Sequence, residues 1–130
     1  MNKVKSVCII DDDKIFIYTL KHLLGKMDFC EDFILYHNGL EAVKGLTARM
    51  ENQDQVPDII LLDLNMPIMD GWEFLKEVSS NSELKKIKTF IVTSSIDPED
   101  FKRTKDHSNV EGYITKPLNS KKLKEVFNHL

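Results

Sequence analysis

Apolar residues recur along this chain in two rhythms. Short, nearly unbroken runs at residues 4–10, 33–37, 58–62, 89–93 and 112–115 are too brief for helices and rich in β-branched residues, which predicts strands. Between them the apolar positions fall at helical spacing: Phe16, Leu20, Leu23, Leu24 and Met27; Leu40, Val43, Leu46 or Thr47, and Met50; Trp72, Leu75 and Val78; Leu123, Val126, Phe127 and Leu130. Strict alternation of strand and helix predicts an α/β fold, a doubly wound parallel sheet of five strands with helices on both faces and right-handed crossovers. Runs such as "DIILL" suit strands covered on both sides.

Polar residues punctuate these elements. Asp70-Gly71-Trp72-Glu73 and Asp97-Pro98-Glu99-Asp100 each offer an acceptor at the N-cap and an acid at N3, the second with proline at N1, so helices start near 71 and 98. Asp13 precedes Phe16 by three positions and reads as the N-cap of the first helix. The segment "PEDFKRTKDH", residues 98–107, carries Phe101 as its only strongly apolar residue and is expected to be the most loosely held helix. "ENQDQVPD", residues 51–58, reads as a polar loop within one domain.

Length and composition change this picture little. The 130 residues fit a single domain spanning 1–130, with ordinary globular composition of 42% hydrophobic and 30% charged residues. A net charge of −3 offers no general footprint for nucleic acid or an anionic membrane. Cys8 and Cys30 lack C-x-x-C spacing and read as buried reduced thiols, which favours a cytoplasmic location. The apolar start is too short for a signal sequence or membrane span.

The chemistry lies at the carboxyl ends of the strands, where open α/β sheets bind ligands. Asp11, Asp12 and Asp13 follow the first run, Asp63 the third, Thr93 with Ser94 and Ser95 the fourth, and Lys116-Pro117 the fifth. His37-Asn38-Gly39 after the second is a turn. Carboxylates gathered on one edge repel each other unless a cation joins them. An all-oxygen cluster suits a hard divalent cation, Mg²⁺ before Ca²⁺. With Lys116, such an ion would neutralise Asp11, Asp12 and Asp63 and leave a site able to accept a phosphoryl group.

The segments "VCIIDDD", "DIILLDLNMPIMDGWEFL", "IVTSS" and "GYITKP" together resemble the receiver domains of two-component response regulators, the CheY-like group. The resemblance implies a flavodoxin-like fold with strand order 2-1-3-4-5, and Asp63 as phosphoacceptor. It implies Mg²⁺, with Mn²⁺ as a substitute, bound by Asp12 directly, by Asp11 through water, by Asp63 and by the backbone carbonyl of Asn65. Lys116 would pair with the Asp63 carboxylate and then the phosphoryl group, Thr93 would donate its hydroxyl to a phosphoryl oxygen, and Tyr113 would be the aromatic switch. A cis bond before Pro117 is implied as well. The donor would be a sensor histidine kinase or histidine phosphotransfer protein, and output would pass to a downstream protein partner, the chain having no room for an output domain after its last helix. Residues 48–57 make the segment before Asp63 several residues longer than is usual in the family. Asn65 and Ser95 occupy positions where members vary and tune the lifetime of the phosphorylated state.

Competing readings meet specific residues. An aspartyl-phosphate phosphatase of haloacid-dehalogenase type needs an aspartate two positions after its nucleophile, where this chain has Asn65, which cannot do acid–base chemistry. A flavodoxin needs an anion-attracting loop after the first strand, where Asp11, Asp12 and Asp13 would repel phosphate. A pseudo-receiver would be expected to lack the acceptor, an acidic-pair member or the lysine, and all are present. Met66 and Met69 read as loop packing, Trp72 as a helix-to-core or partner-surface residue, Lys121, Lys122 and Lys124 as solvated, and His22, His37, His107 and His129 as surface or structural.

Overall fold

The protein is described by a computed structural model over residues 3–128. Its elements alternate as expected: β1 (Val4–Ile10), α1 (Lys14–Lys26), β2 (Cys30–Tyr36), α2 (Gly39–Glu51), β3 (Ile59–Leu62), α3 (Gly71–Ser79), β4 (Lys88–Thr93), α4 (Pro98–Arg103), β5 (Val110–Thr115) and α5 (Ser120–Phe127). All neighbouring strands pair in parallel, in the order β2-β1-β3-β4-β5. The sheet has a winding reversal beside β1, where ligand sites of such folds lie.

The strand side chains alternate between two cores. Cys8, Ile10, Ile60, Leu62 and Ile91 pack with Leu46, Trp72, Leu75 and Val78 on the α2 and α3 side. Val7, Ile9, Ile59, Leu61, Val92 and Ile114 pack with Ile17, Leu20, Leu24, Leu123 and Phe127 on the α1 and α5 side. β3 is buried along its whole length, as its continuous apolar run requires.

β4 begins one residue before its apolar run, and the two edge strands begin two or three residues before theirs. β2 starts at Cys30 because Val4 and Ser6 pair with Cys30 and Asp32, and an edge strand tolerates the exposed Glu31 and Asp32 that obscure its pattern. β5 starts at Val110, at the opposite edge. Asp58 lies just before β3, and its carboxylate accepts the N–H groups of Lys5 and Ser6 at 2.8 and 3.0 Å.

The caps act largely as read. Asp13 accepts from the Ile15 and Phe16 N–H groups, and Asp70 and Glu73 form a reciprocal capping box. Asp97 caps the Glu99 N–H rather than that of residue 100, while Asp100 accepts the Ser95 hydroxyl at 2.5 Å. α4 buries none of its residues and passes after Arg103 into a 3-10 turn at Thr104–Asp106, in keeping with its narrow apolar face. It leans on α3 through Trp72, whose ring has the Arg103 guanidinium at 4.6 Å and the His107 ring at 5.8 Å. Cys8 is buried and Cys30 half-buried, both as free thiols. His129 and Leu130 lie outside the described residues. Among the described residues, no helix is long and apolar enough to cross a membrane.

Candidate functional site

Strand register assembles the site before any side chain is considered. Ile10 lies beside Leu62, so the next residues, Asp11 and Asp63, leave neighbouring strands together. The Asp63 N–H donates to the Ile10 carbonyl at 3.0 Å, and the Lys116 N–H to the Thr93 carbonyl at 2.9 Å. Thr93 pairs with Thr115, which sets Thr93 and Lys116 at the same sheet edge. Period-two alternation then puts Asp11, Asp63 and Lys116 on the α1 and α5 side of that edge.

The acids meet as the sequence predicts. Carboxylate oxygens of Asp11, Asp12 and Asp63 all lie within 4.8 Å of one another, with Asp11 and Asp63 buried and Asp12 exposed. Only small groups of hard oxygen donors are offered, so the set fits a hard divalent cation that keeps part of its water. Burial raises the Asp11 carboxyl above the ordinary carboxylate range, against the Asp13 N–H and Lys116, which lower it. Burial also raises Asp63, and the charge of Asp11 adds to the rise, while Lys116, the Asn65 backbone N–H and the Thr93 hydroxyl oppose it. In both carboxyls burial is the leading cause of the rise, and the opposing donors do not overcome it.

Lys116 pairs with Asp63 as expected and with Asp11 as well. Its ammonium donates to Asp11 Oδ2 at 2.9 Å and stands 3.6 Å from Asp63 Oδ2, so Asp11 rather than Asp63 is its closer partner. Both carboxylates are buried, so both gain from the counter-charge. The ammonium also sits over the Phe16 ring, 4.0 Å from its centroid. Lys122 is a correction: read as solvated, it donates to the Thr115 and Pro117 carbonyls, both at 2.9 Å. It thereby ties α5 to the backbone on either side of Lys116. The Lys116-Pro117 bond is cis, as the resemblance implied.

The remaining site residues lie around this centre. Thr93 is fully buried and its hydroxyl accepts the Ser95 N–H at 3.3 Å. Tyr113 is half-buried, donates its hydroxyl to the Ser95 carbonyl at 3.1 Å and meets the Phe101 ring edge-on at 5.6 Å. The Thr93 and Tyr113 positions are thus joined through Ser95 at the start of the α4 region. Asn65 opens the loop to α3, which returns so closely that a Cβ on Gly71 would lie 2.5 Å from the Asp63 carbonyl oxygen, so only glycine fits there.

Sequence reasoning missed the turn in that loop. Ile68 has φ 71°, and the Met69 N–H donates to the Pro67 carbonyl at 2.8 Å across it, a tight turn in the left-handed region that a β-branched residue resists. The side chain is 75% exposed, so no packing recompenses the strain. Nothing in "NMPIMDG" signals it, since glycine or asparagine usually marks such a φ. Met66 is buried in the α2 and α3 core and Met69 packs against it, as loop packing requires.

The family model of the response regulator receiver domain matches residues 7–128. The chain belongs to this family of two-component signalling domains. It is 31% identical to the response regulator Rcp1 of Synechocystis over 97% of this chain and 84% of that protein. A response regulator of Cytophaga hutchinsonii superposes with a TM-score of 0.88 at 28% identity, covering 98% of this chain and 97% of that one. The phosphorylated cyanobacterial phytochrome response regulator RcpA superposes with a TM-score of 0.80 at 31% identity, over 97% and 91% of the two chains. The Mn²⁺-bound form of Rcp1 does so with a TM-score of 0.75 at 30% identity, over 95% and 90%.

Proposed function

We propose that this chain is a single receiver domain over residues 1–130 that takes a phosphoryl group onto Asp63 and passes the resulting change of shape to a protein partner. The observation that carries the reading is the buried Asp63 carboxylate held beside Asp11 and 3.6 Å from the Lys116 ammonium. In the transfer, an Asp63 oxygen forms the new bond to phosphorus as the phosphorus–nitrogen bond of a phosphohistidine breaks. The imidazole leaves with that electron pair. The donor is a sensor histidine kinase or a histidine phosphotransfer protein; no nucleic acid or membrane takes part.

Asp11, Asp12, Asp63 and the Asn65 carbonyl are the groups that would hold Mg²⁺, with Mn²⁺ as a substitute. Bound there, the cation supplies charge neutralisation to the phosphoryl oxygens. Lys116 neutralises the same oxygens by moving toward Asp63, and the Thr93 hydroxyl, which accepts the Ser95 N–H, donates to one of them and so couples the phosphoryl group to Ser95. Tyr113, tied to the Ser95 carbonyl, then repacks against Phe101 and α4 and makes the change visible at the surface. The Mn²⁺-bound and phosphorylated relatives support both halves of this reading. The domain acts as a switch rather than a metabolic enzyme, and the reduced Cys8 and Cys30 thiols suit the cytoplasm.

Incubation with acetyl phosphate and Mg²⁺, read by intact mass, should add one phosphoryl group to the wild type and none to Asp63→Asn. Equal labelling of both proteins would place the acceptor elsewhere.

A further inference from the structure

Beside the two carboxylates, the Lys116 ammonium has a neighbour of another kind. It is the face of Phe16, whose centroid lies 4.0 Å away, well inside the range over which a ring quadrupole attracts a cation. The lysine side chain is 18% exposed, so the attraction acts in a largely dehydrated position. From this geometry we infer that Phe16 is a positioning residue for phosphoryl acceptance: its ring holds the Lys116 ammonium over the site while the lysine exchanges Asp11 for the phosphorylated Asp63. The inference rests on the function proposed above.

The contacts form a closed circuit. Asp11 Oδ1 accepts the Asp13 N–H at 2.9 Å, and Asp13 Oδ1 caps the Phe16 N–H at 3.1 Å. The Phe16 ring faces Lys116, and Lys116 donates back to Asp11 Oδ2 at 2.9 Å. Asp13 therefore fixes the start of α1 and, through it, the ring. A π face has no single bonding direction, so the ammonium can pivot between carboxylates 2.9 and 3.6 Å away without leaving it. A hydrogen-bond acceptor in the same place would have to be given up during the pivot. Phe16 also sheds water from one side of the ammonium, which strengthens its pull on the phosphoryl oxygens.

The test replaces Phe16 with mono-, di- and trifluorophenylalanine, which nearly preserve shape while draining the ring face of negative potential. Phe16→Leu removes the ring, and Phe16→Trp enlarges its quadrupole within a neighbouring hollow of about 270 Å³ lined by Phe16, Thr19, Pro117 and Leu118. Each protein is read two ways: the acetyl phosphate labelling rate with Mg²⁺, and the Lys116 side-chain ammonium and methylene resonances in metal-free protein. Labelling should fall stepwise with fluorination, about three- to tenfold over the series. Phe16→Trp should match or exceed the wild type, and Phe16→Leu should lose the upfield ring-current shift of Lys116. Equal labelling by all rings and by Phe16→Leu would overturn the inference, because apolar bulk alone would then suffice. Lys116 resonances indifferent to removal of the ring would overturn it as well. Failure of the wild type to accept a phosphoryl group would instead refute the function proposed for Asp63, while the Lys116 resonances still decide whether the ring holds the lysine.

Discussion

Asp63→Asn should make the metal-free protein more stable. Asp63 is 6% exposed, and its oxygens lie within 4.8 Å of those of Asp11 and Asp12. At an effective dielectric constant of about 20, each repulsion at that separation amounts to roughly 3.5 kcal/mol, and less for the exposed Asp12. The attraction to Lys116 at 3.6 Å is roughly 4.6 kcal/mol on the same scale. These charge terms nearly cancel, so the cost of burying the carboxylate decides the sign, and it is unfavourable. The expected gain is about 0.5–2 kcal/mol at pH 7, because the substituted asparagine would keep the shape and Lys116 would keep Asp11. The raised Asp63 carboxyl favours protonation in the folded state. Its contribution to stability is therefore fully present below the unfolded value of about 3.9 and is lost as pH rises through the folded value. The cost grows as pH rises through that value, and acidification should erase the mutant's advantage. Mg²⁺ should erase it too, since a free concentration ten times the dissociation constant stabilises the wild-type site by about 1.4 kcal/mol. Urea melts of both proteins at pH 7 and in mild acid, with chelator or Mg²⁺, measure all of this. A metal-free Asp63→Asn protein clearly less stable than wild type would refute the reasoning and make Asp63 a stabilising ion-pair partner of Lys116.

Lys116→Gln should act in the opposite sense, lowering metal-free stability by about 1–3 kcal/mol at pH 7 because Asp11 and Asp63 lose their counter-charge; Mg²⁺ should recover most of the loss in the same melts. Ile68→Gly should raise stability by about 0.5–1 kcal/mol, the relief at a φ of 71° exceeding the entropy that glycine adds to the unfolded chain, and an unchanged or lower urea midpoint would show that the turn is not strained. Amide exchange with beryllofluoride and Mg²⁺ should alter protection between residues 94 and 115, where Ser95 links Thr93 to Tyr113 and α4 buries nothing; changes confined to other segments would remove this face as the output surface.

Local physics wrote much of this protein into its sequence. An apolar run with two-sided burial can only be a central strand, so β3 and β1 were legible, as were the helices whose caps sit one residue before them. The edge strands were read short, since one-sided burial leaves Cys30–Asp32 and Val110 without a continuous apolar signal. Asp13 was legible as the cap of α1, because a cap is a local hydrogen bond over three residues. Contacts across the fold could not be read this way. Lys116 and Asp11 are 105 positions apart and two strands lie between theirs, so only the strand order 2-1-3-4-5 and the reach of a lysine chain make them partners. Which carboxylate lies closer to Lys116 is decided by where the strand ends place them, a property of packing rather than residue type. The same holds for Phe16, which its spacing marks as one more apolar helix position until α1 turns its ring beneath the ammonium. Lys122 looked like any exposed lysine until the carbonyls of Thr115 and Pro117 converged on it. Periodicity and caps are set within a few residues, and the sequence determines them directly; charge partnership is set by proximity and burial, which exist only once the chain has folded.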